Sequence, residues 1–253
     1  MYMSYDGNKW IYLAEFNLIY DIFIQPTEPS KKYIHAAEGL YAGTDDERIW
    51  KKYSKLPSVY IVPKATDPSD PGIIYFNKNK PYDVKIFIEN EAWNEMGMYK
   101  SNDHGETLEK ISSTPLHTLL ISPNNKNLMY GIPEYDATHR ILKSTDGGVS
   151  WKEKDISIVE SDSFTLVMNP VDDNVLYALT SNYRKRSIDF SISRIFKSID
   201  GGETWQKISE FPVNRIVIDP SNPDILYAGT PQMGIFKSAD AGKTWKAINN
   251  GIE

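Results

Sequence analysis

One nine-residue phrase recurs through this chain and restricts its fold more than any other feature. It reads KSNDHGETL from Lys100 to Leu108, KSTDGGVSW from Lys143 to Trp151, KSIDGGETW from Lys197 to Trp205 and KSADAGKTW from Lys237 to Trp245. A shortened form, SYDGNKW, stands at Ser4 to Trp10. A phrase repeated in this way marks an architecture of stacked units, each burying against its neighbours what it cannot bury alone.

Each residue type in the phrase suits a tight turn between two antiparallel strands. The Asp (Asp103, Asp146, Asp200, Asp240) can accept hydrogen bonds from turn N–H groups. The Gly two residues later (Gly105, Gly148, Gly202, Gly242) suits a positive φ that a Cβ would oppose. The Ser before and the Thr or Ser after can tie their hydroxyls to the same turn. The Trp (Trp151, Trp205, Trp245) is large enough to fill the gap between neighbouring sheets. The alternative makes these carboxylates a catalytic or metal set. A catalytic residue has no reason to recur in every unit, so the structural reading is preferred.

Three further phrases recur. An apolar run ends near a Pro at Pro26, Pro68, Pro123, Pro170 and Pro220, with Pro-to-Pro spacings of 42, 55, 47 and 50 residues. A Tyr-centred run follows: IIYFN at Ile73, LMYGI at Leu128, VLYAL at Val175 and ILYAG at Ile225, with LYAGT at Leu40 as the first unit's copy after a longer gap. A short run then enters the turn phrase: RIWKK at Arg48, GMYKS at Gly97, RILKS at Arg140, RIFKS at Arg194 and GIFKS at Gly234. These runs are rich in Ile, Val, Tyr, Phe and Trp and are bounded by Gly, Pro, Asn and Asp, as strands are.

Each unit therefore reads as strand A to the Pro, strand B at the Tyr, strand C into the turn phrase and strand D after it. The first unit shows no strand D before Pro57. A spare strand at Asn8 to Leu13 is expected to pair with a blade containing the C-terminal strands, so that no sheet edge is left open.

On these residues the turn phrase resembles the Asp-box of bacterial neuraminidase (BNR) repeats. That family includes sialidases, some other glycosidases, sortilin-type receptors and photosystem assembly factors. The resemblance covers nearly the whole chain. With the strand pattern it implies an all-β fold, a β-propeller of five four-stranded antiparallel blades with Asp-box turns between strands C and D. A single domain over residues 1–253 is expected.

Composition narrows the partners. Net charge is −6, from 28 Lys and Arg against 34 Asp and Glu, which disfavours nucleic acid. There is no Cys, so disulfides and thiolate metal sites are excluded. The apolar stretch Trp10 to Ile24 is interrupted by Glu15, Asn17 and Asp21, and reads as neither signal peptide nor membrane span. A cytoplasmic protein is the default expectation, with a trimmed secreted one as the alternative. No cofactor or metal is expected, since His35, His104, His117 and His139 lack metal spacing. His104, at a free position of a box, is expected to be exposed.

Meander topology places A–B turns and boxes on one face, and B–C and D–A loops on the opposite face. The B–C loops are long and chemically individual, so a site is expected there. Candidate ligand-binding residues are Arg48, Arg140 and Arg194 at the start of strand C, and Tyr183 in a B–C loop. Asp21, Thr118, Thr165 and Arg215 share one column of strand A, with His117 beside it. Such a set offers donors for carboxylates or sugar hydroxyls. The blander alternative pairs the three Arg with acids of the next blade.

Two functions fit. One is a non-catalytic propeller presenting these loops to a protein or glycan. The other is a sialidase-like glycoside hydrolase with paired carboxylates on the same face. Sialidases open on an Arg-Ile-Pro phrase that is missing here, and no Tyr–Glu pair stands out. The binding reading is preferred. A monomer is expected, with closure by oligomerisation as a further possibility.

Overall fold

The computed structural model describes residues 2–3, 11–12, 19–24, 31–36, 39–44, 50–52, 61–70, 72–78, 96–134, 140–154, 163–181 and 193–250. They form two compact units, Met1–Leu116 and His117–Glu253. The first sheet is a two-stranded antiparallel pair, β1 (Tyr2–Met3) and β2 (Ile11–Tyr12). Next comes a four-stranded sheet of β3 (Ile19–Ile24), β4 (Lys31–Ala36), β5 (Gly39–Thr44) and β6 (Lys51–Lys52). A second four-stranded sheet holds β7 (Ile61–Thr66), β8 (Ile74–Lys78), β9 (Gly97–Ser101) and β10 (Glu109–Ser112).

In the second unit, the third four-stranded sheet runs through β11 (Leu116–Ile121), which opens at the unit boundary, β12 (Met129–Pro133), β13 (Ile141–Ser144) and β14 (Lys152–Lys154). The fourth holds β15 (Ser163–Met168), β16 (Leu176–Ser181), β17 (Ile195–Ser198) and β18 (Gln206–Lys207). The fifth holds β19 (Arg215–Ile218), β20 (Leu226–Gly229), β21 (Ile235–Ser238) and β22 (Lys246–Ala247). All five are antiparallel sheets whose strands stand in chain order.

Burial explains the strand chemistry. The second strand of a sheet is covered on both faces, so it reads as a continuous apolar run; Leu176, Tyr177, Ala178 and Leu179 of β16 are all buried. The fourth strand is a short solvent-facing edge, written KK in β6, KEK in β14 and QK in β18. Short Lys-bearing edges discourage pairing with other chains. Between sheets lie the cores. Tyr130, Ile132 and Ile141 pack on Phe164, Leu166, Leu176 and Ala178. Tyr177, Leu179 and Ile195 pack on Val213, Ile216, Leu226 and Ala228. In the first unit Tyr33 and Ala42 pack on Ile74 and Phe76.

The first four-stranded sheet differs from the sequence reading. LYAGT lies in β5, the third strand, not the second, and Lys51–Lys52 of RIWKK form the fourth strand thought to be missing. The true second strand is β4, KKYIHA, whose Tyr33 is buried like Tyr75, Tyr130 and Tyr177. The spare N-terminal strand also departs from expectation. Ile11 and Tyr12 pair with Met3 and Tyr2 in a sheet of their own, a local closure that costs less chain entropy than a distant one.

A conserved geometry joins the repeats through the Tyr and the Lys that opens each box. Register sets Tyr75 opposite Lys100, Tyr130 opposite Lys143, Tyr177 opposite Lys197 and Tyr227 opposite Lys237. Each ammonium lies over its partner ring, 5.3 Å from the centroid at Lys143 and 5.8 Å at Lys100. From there the donors reach the next sheet's box: the Tyr130 hydroxyl donates to Gly201 O at 3.2 Å, and Lys197 Nζ to Ala241 O at 3.1 Å.

Candidate functional site

The boxes are structural turns, and their carboxylates are fully engaged. Asp200 Oδ1 accepts from Glu203 N, from Thr204 N at 2.9 Å and from the Ser198 hydroxyl at 2.7 Å, while Oδ2 accepts from the Thr204 hydroxyl. The buried Ser198 hydroxyl in turn accepts from Gly202 N at 2.9 Å. The same bonds recur around Asp103, Asp146 and Asp240. The hydroxyl and amide donors, led by Thr107, Ser150, Thr204 and Thr244, hold these four carboxyls down at about 2. Gly202 sits at φ 88° and Gly105 at φ 94°, the positive values this turn requires.

A–B turns and boxes share one end of each sheet, as the topology predicts. Gly147 N donates to Asn127 O, Gly201 N to Asn174 O and Ala241 N to Asp224 O. Trp205 packs against the core between the third and fourth sheets, and Trp245 against that between the fourth and fifth. Trp151 donates its indole N–H to Gly148 O in its own box. His104 departs from expectation: it is half-buried at φ 61°, with Nδ1 3.3 Å from the Tyr33 hydroxyl.

The opposite end carries the sequence candidates. His117 is exposed on β11, with Nδ1 3.1 Å from the Thr118 hydroxyl oxygen. Thr118 and Thr165 are half-buried near the starts of β11 and β15, and Arg215 is exposed at the start of β19. Thr165 stands opposite Leu179 in the register, and Arg215 opposite Gly229. Asp21 lies in β3 opposite His35. Arg48 and Tyr183 lie outside the described residues.

The remaining Arg candidates are engaged locally. Arg140 pairs with Glu153, which belongs to its own sheet rather than the next one. With both side chains well exposed, such a pair contributes only about 0–1 kcal/mol. Arg194 donates from Nη1 to Ser193 O at 2.8 Å, and its backbone is bracketed by Thr180. Within the second unit, then, Thr118, Thr165 and Arg215 stand at corresponding positions of three successive edge strands, with His117 beside Thr118. Among the described residues no group of three or more His, Asp or Glu is placed to hold a metal ion. No helix among them is long and apolar enough to cross a membrane.

Two features escaped the sequence reading. One is the Tyr–Lys donor pair, whose signal was present: the Tyr follows the Pro by seven residues in all five units, Pro26 to Tyr33 included. The other is the cap before Pro68, Pro123, Pro170 and Pro220. Asp67, Asn169 and Asp219 each accept backbone N–H bonds from the turn that follows, as does the Ser122 hydroxyl.

No protein-family model matches the chain, and no curated protein matches it. Solved structures share its fold. The GH74 enzyme of Niastella koreensis superposes with a TM-score of 0.66 at 18% identity, over 95% of this chain and 40% of that one. A structure described as YCF48 bound to D1 peptide gives 0.57 at 14% identity, over 87% of this chain and 64% of that one. The GH74 xyloglucanase of Xanthomonas campestris gives 0.50 at 14% identity, over 91% and 45%. The chain thus spans less than two thirds of the length of each. These structures and the five four-stranded antiparallel sheets define a β-propeller fold of five blades.

Proposed function

We propose that this chain is a single propeller domain, residues 1–253, that binds a protein or glycan ligand through the end away from its boxes and carries out no catalysis itself. The observation behind this reading is a contrast between the two ends. At the box end the carboxylates of Asp103, Asp146, Asp200 and Asp240 are consumed by their own turns. At the other end the aligned edge-strand positions differ in chemistry, and His117 and Arg215 stand exposed. A fixed frame with variable exposed donors suits recognition of carboxylates or hydroxyls. The peptide held by the YCF48 structure supports a protein ligand for a frame of this kind.

Arrays of glycans and of acidic peptides test the proposal on wild type, Arg215→Ala and His117→Ala. Wild type is expected to bind a subset of spots that both variants lose or weaken. Identical profiles for all three would overturn the reading.

A second reading is a glycoside hydrolase, favoured by the GH74 enzymes among the structural neighbours. Glu134, directly after β12, stands at the same end and is half-buried. Release of reducing ends from xyloglucan by wild type, abolished in Glu134→Gln, would favour hydrolysis over binding alone.

A further inference from the structure

Turns favour Asn, Asp, Ser and Gly, and a bulky aliphatic there works against the local chemistry. The repeats of this chain supply the comparison. The residue before the box Asp is Asn102, Thr145 and Ala239 in the other three full boxes, but Ile199 in the fourth sheet. The residue after the unit Pro is Thr27, Ser69, Asn124 and Ser221 in the other units, but Val171 in the fourth sheet. Neither aliphatic is buried: Ile199 is 71% exposed and Val171 64%. With Val149 of the third sheet's box, at 65%, they are the most exposed large aliphatics among the described residues. An exception to the local rule that gains no packing in return marks a functional position.

Both residues stand on turns that close the same end of one sheet. The register of β16 and β17 ends with Leu176 opposite Ser198, and Val175 and Ile199 come next. Gly201 N donates to Asn174 O at 2.9 Å, which fastens the box to the A–B turn, and Val171 N donates to Asn169 Oδ1 at 2.9 Å. Val175 packs on the core between the fourth and fifth sheets. Apolar positions thus continue from that core, past Val175, to two aliphatics in water. Carboxylates stand beside them. Asp172 follows Val171, Asp200 follows Ile199, and both are exposed. Asp200 is ionised at neutral pH, since the hydrogen bonds of its turn hold it at about 2. Glu203 of the same box pairs with Lys154 of the third sheet. Lys197, the only cation in either turn phrase, points into the junction with the fifth sheet, where it donates to Ala241 O at 3.1 Å.

We propose that the box end of the fourth sheet is a docking surface for a basic, apolar segment of a partner protein. Apolar side chains of that segment cover Val171 and Ile199, and its Lys or Arg groups are drawn to Asp172 and Asp200. The sign of the charge decides between occupants of such a surface, because an anionic lipid headgroup or a nucleic acid is repelled by the same carboxylates. The surface lies at the opposite end of the sheet from the ligand reading above and does not rest on it.

Fluorescence anisotropy of short labelled peptides tests this on wild type, Ile199→Asn and Val171→Ser. Both substitutions install residues that other repeats carry at the same positions, Asn102 for the first and Ser69 and Ser221 for the second, so the turns are kept. Matching melting temperatures verify that they are. Wild type is expected to bind peptides that alternate Lys with Leu, less tightly as salt is raised. Each variant is expected to bind them about tenfold more weakly. Peptides with Glu in place of Lys are expected not to bind. Equal binding of the Lys peptides by all three proteins would overturn the proposal, as would a wild type that binds none of them. Self-association of wild type that the variants lose in sedimentation would overturn it too, by giving the surface to a second copy. Adhesion of wild type, but not the variants, to phosphatidylcholine vesicles would overturn it in favour of a membrane.

Discussion

The phenol of Tyr130 donates to the carbonyl oxygen of Gly201 across 3.2 Å, so the second strand of one sheet is fastened to the box turn of the next. Tyr177, at the same position one unit later, is equally buried but its hydroxyl has no partner, because Lys197 reaches Ala241 O instead. Burial pushes both phenols up to about 12. Tyr130→Phe is expected to destabilise by about 0.5–1.5 kcal/mol, the usual net value of such a bond. Tyr177→Phe is expected to be neutral or stabilising, since it removes an unsatisfied buried hydroxyl. Urea unfolding of the two variants side by side checks the contrast.

Acid should loosen the boxes together. Asp103, Asp146, Asp200 and Asp240 titrate at about 2 in the folded chain, against 3.8 ordinarily. A depressed folded value means that the ionised boxes add stability at every pH above the ordinary carboxylate range. That contribution is lost as pH falls from about 4 through 2. Melting temperature is expected to hold above this window and drop steeply within it. Asp200→Asn should flatten part of the drop.

Ser198 sits under its box, buried, and bridges Asp200 and Gly202 N. Ser198→Ala strands a buried amide and is expected to cost about 1–3 kcal/mol. Ser198→Thr, which keeps the hydroxyl, separates the lost bond from crowding by its added methyl when both are measured by chemical denaturation.

Residues directly after the box Asp adopt positive φ, at 75° for Gly147 and 71° for Gly201, yet Ala241 does so at 55°. The left-handed region costs a residue with a Cβ about 1–2 kcal/mol. Ala241→Gly is therefore expected to raise the melting temperature, because relief of that strain exceeds the added freedom of the unfolded chain. A lower melting temperature would show that the Ala241 methyl contributes packing that outweighs the strain.

Trp205 lies half-buried against the core of Tyr130, Ile132 and Leu166. Trp205→Ala is expected to fall toward the low end of the roughly 3–5 kcal/mol typical of buried Trp truncations. Denaturant unfolding followed by circular dichroism measures it.

The fold was legible where local chemistry repeats. Asp, Gly and Ser in the boxes are demanded by the turn itself, so their spacing could be read directly. In the first sheet the cue failed because Tyr41 in LYAGT imitates the Tyr of a second strand, while the true one, Tyr33, follows two lysines, Lys31 and Lys32. The Pro-to-Tyr offset of seven would have chosen Tyr33. The candidate site was legible only as columns. The strand order fixes the end of each sheet at which its residues lie, but whether an Arg is committed depends on neighbours distant in sequence. Arg140 and Glu153 illustrate this: the pair forms because adjacent strands bring them together, and no motif announces it.

The carbonyl that receives Tyr130 or Lys197 belongs to the main chain, which every residue type possesses. Recognition between consecutive sheets thus reads the backbone of the receiving turn, at a left-handed position filled by the small residues Gly201 and Ala241. A unit copied, deleted or exchanged by recombination would meet its new neighbour with the same oxygen in the same place. Such a chain can change its number of units without inventing a new junction, and selection is left free to differentiate the far end of each one.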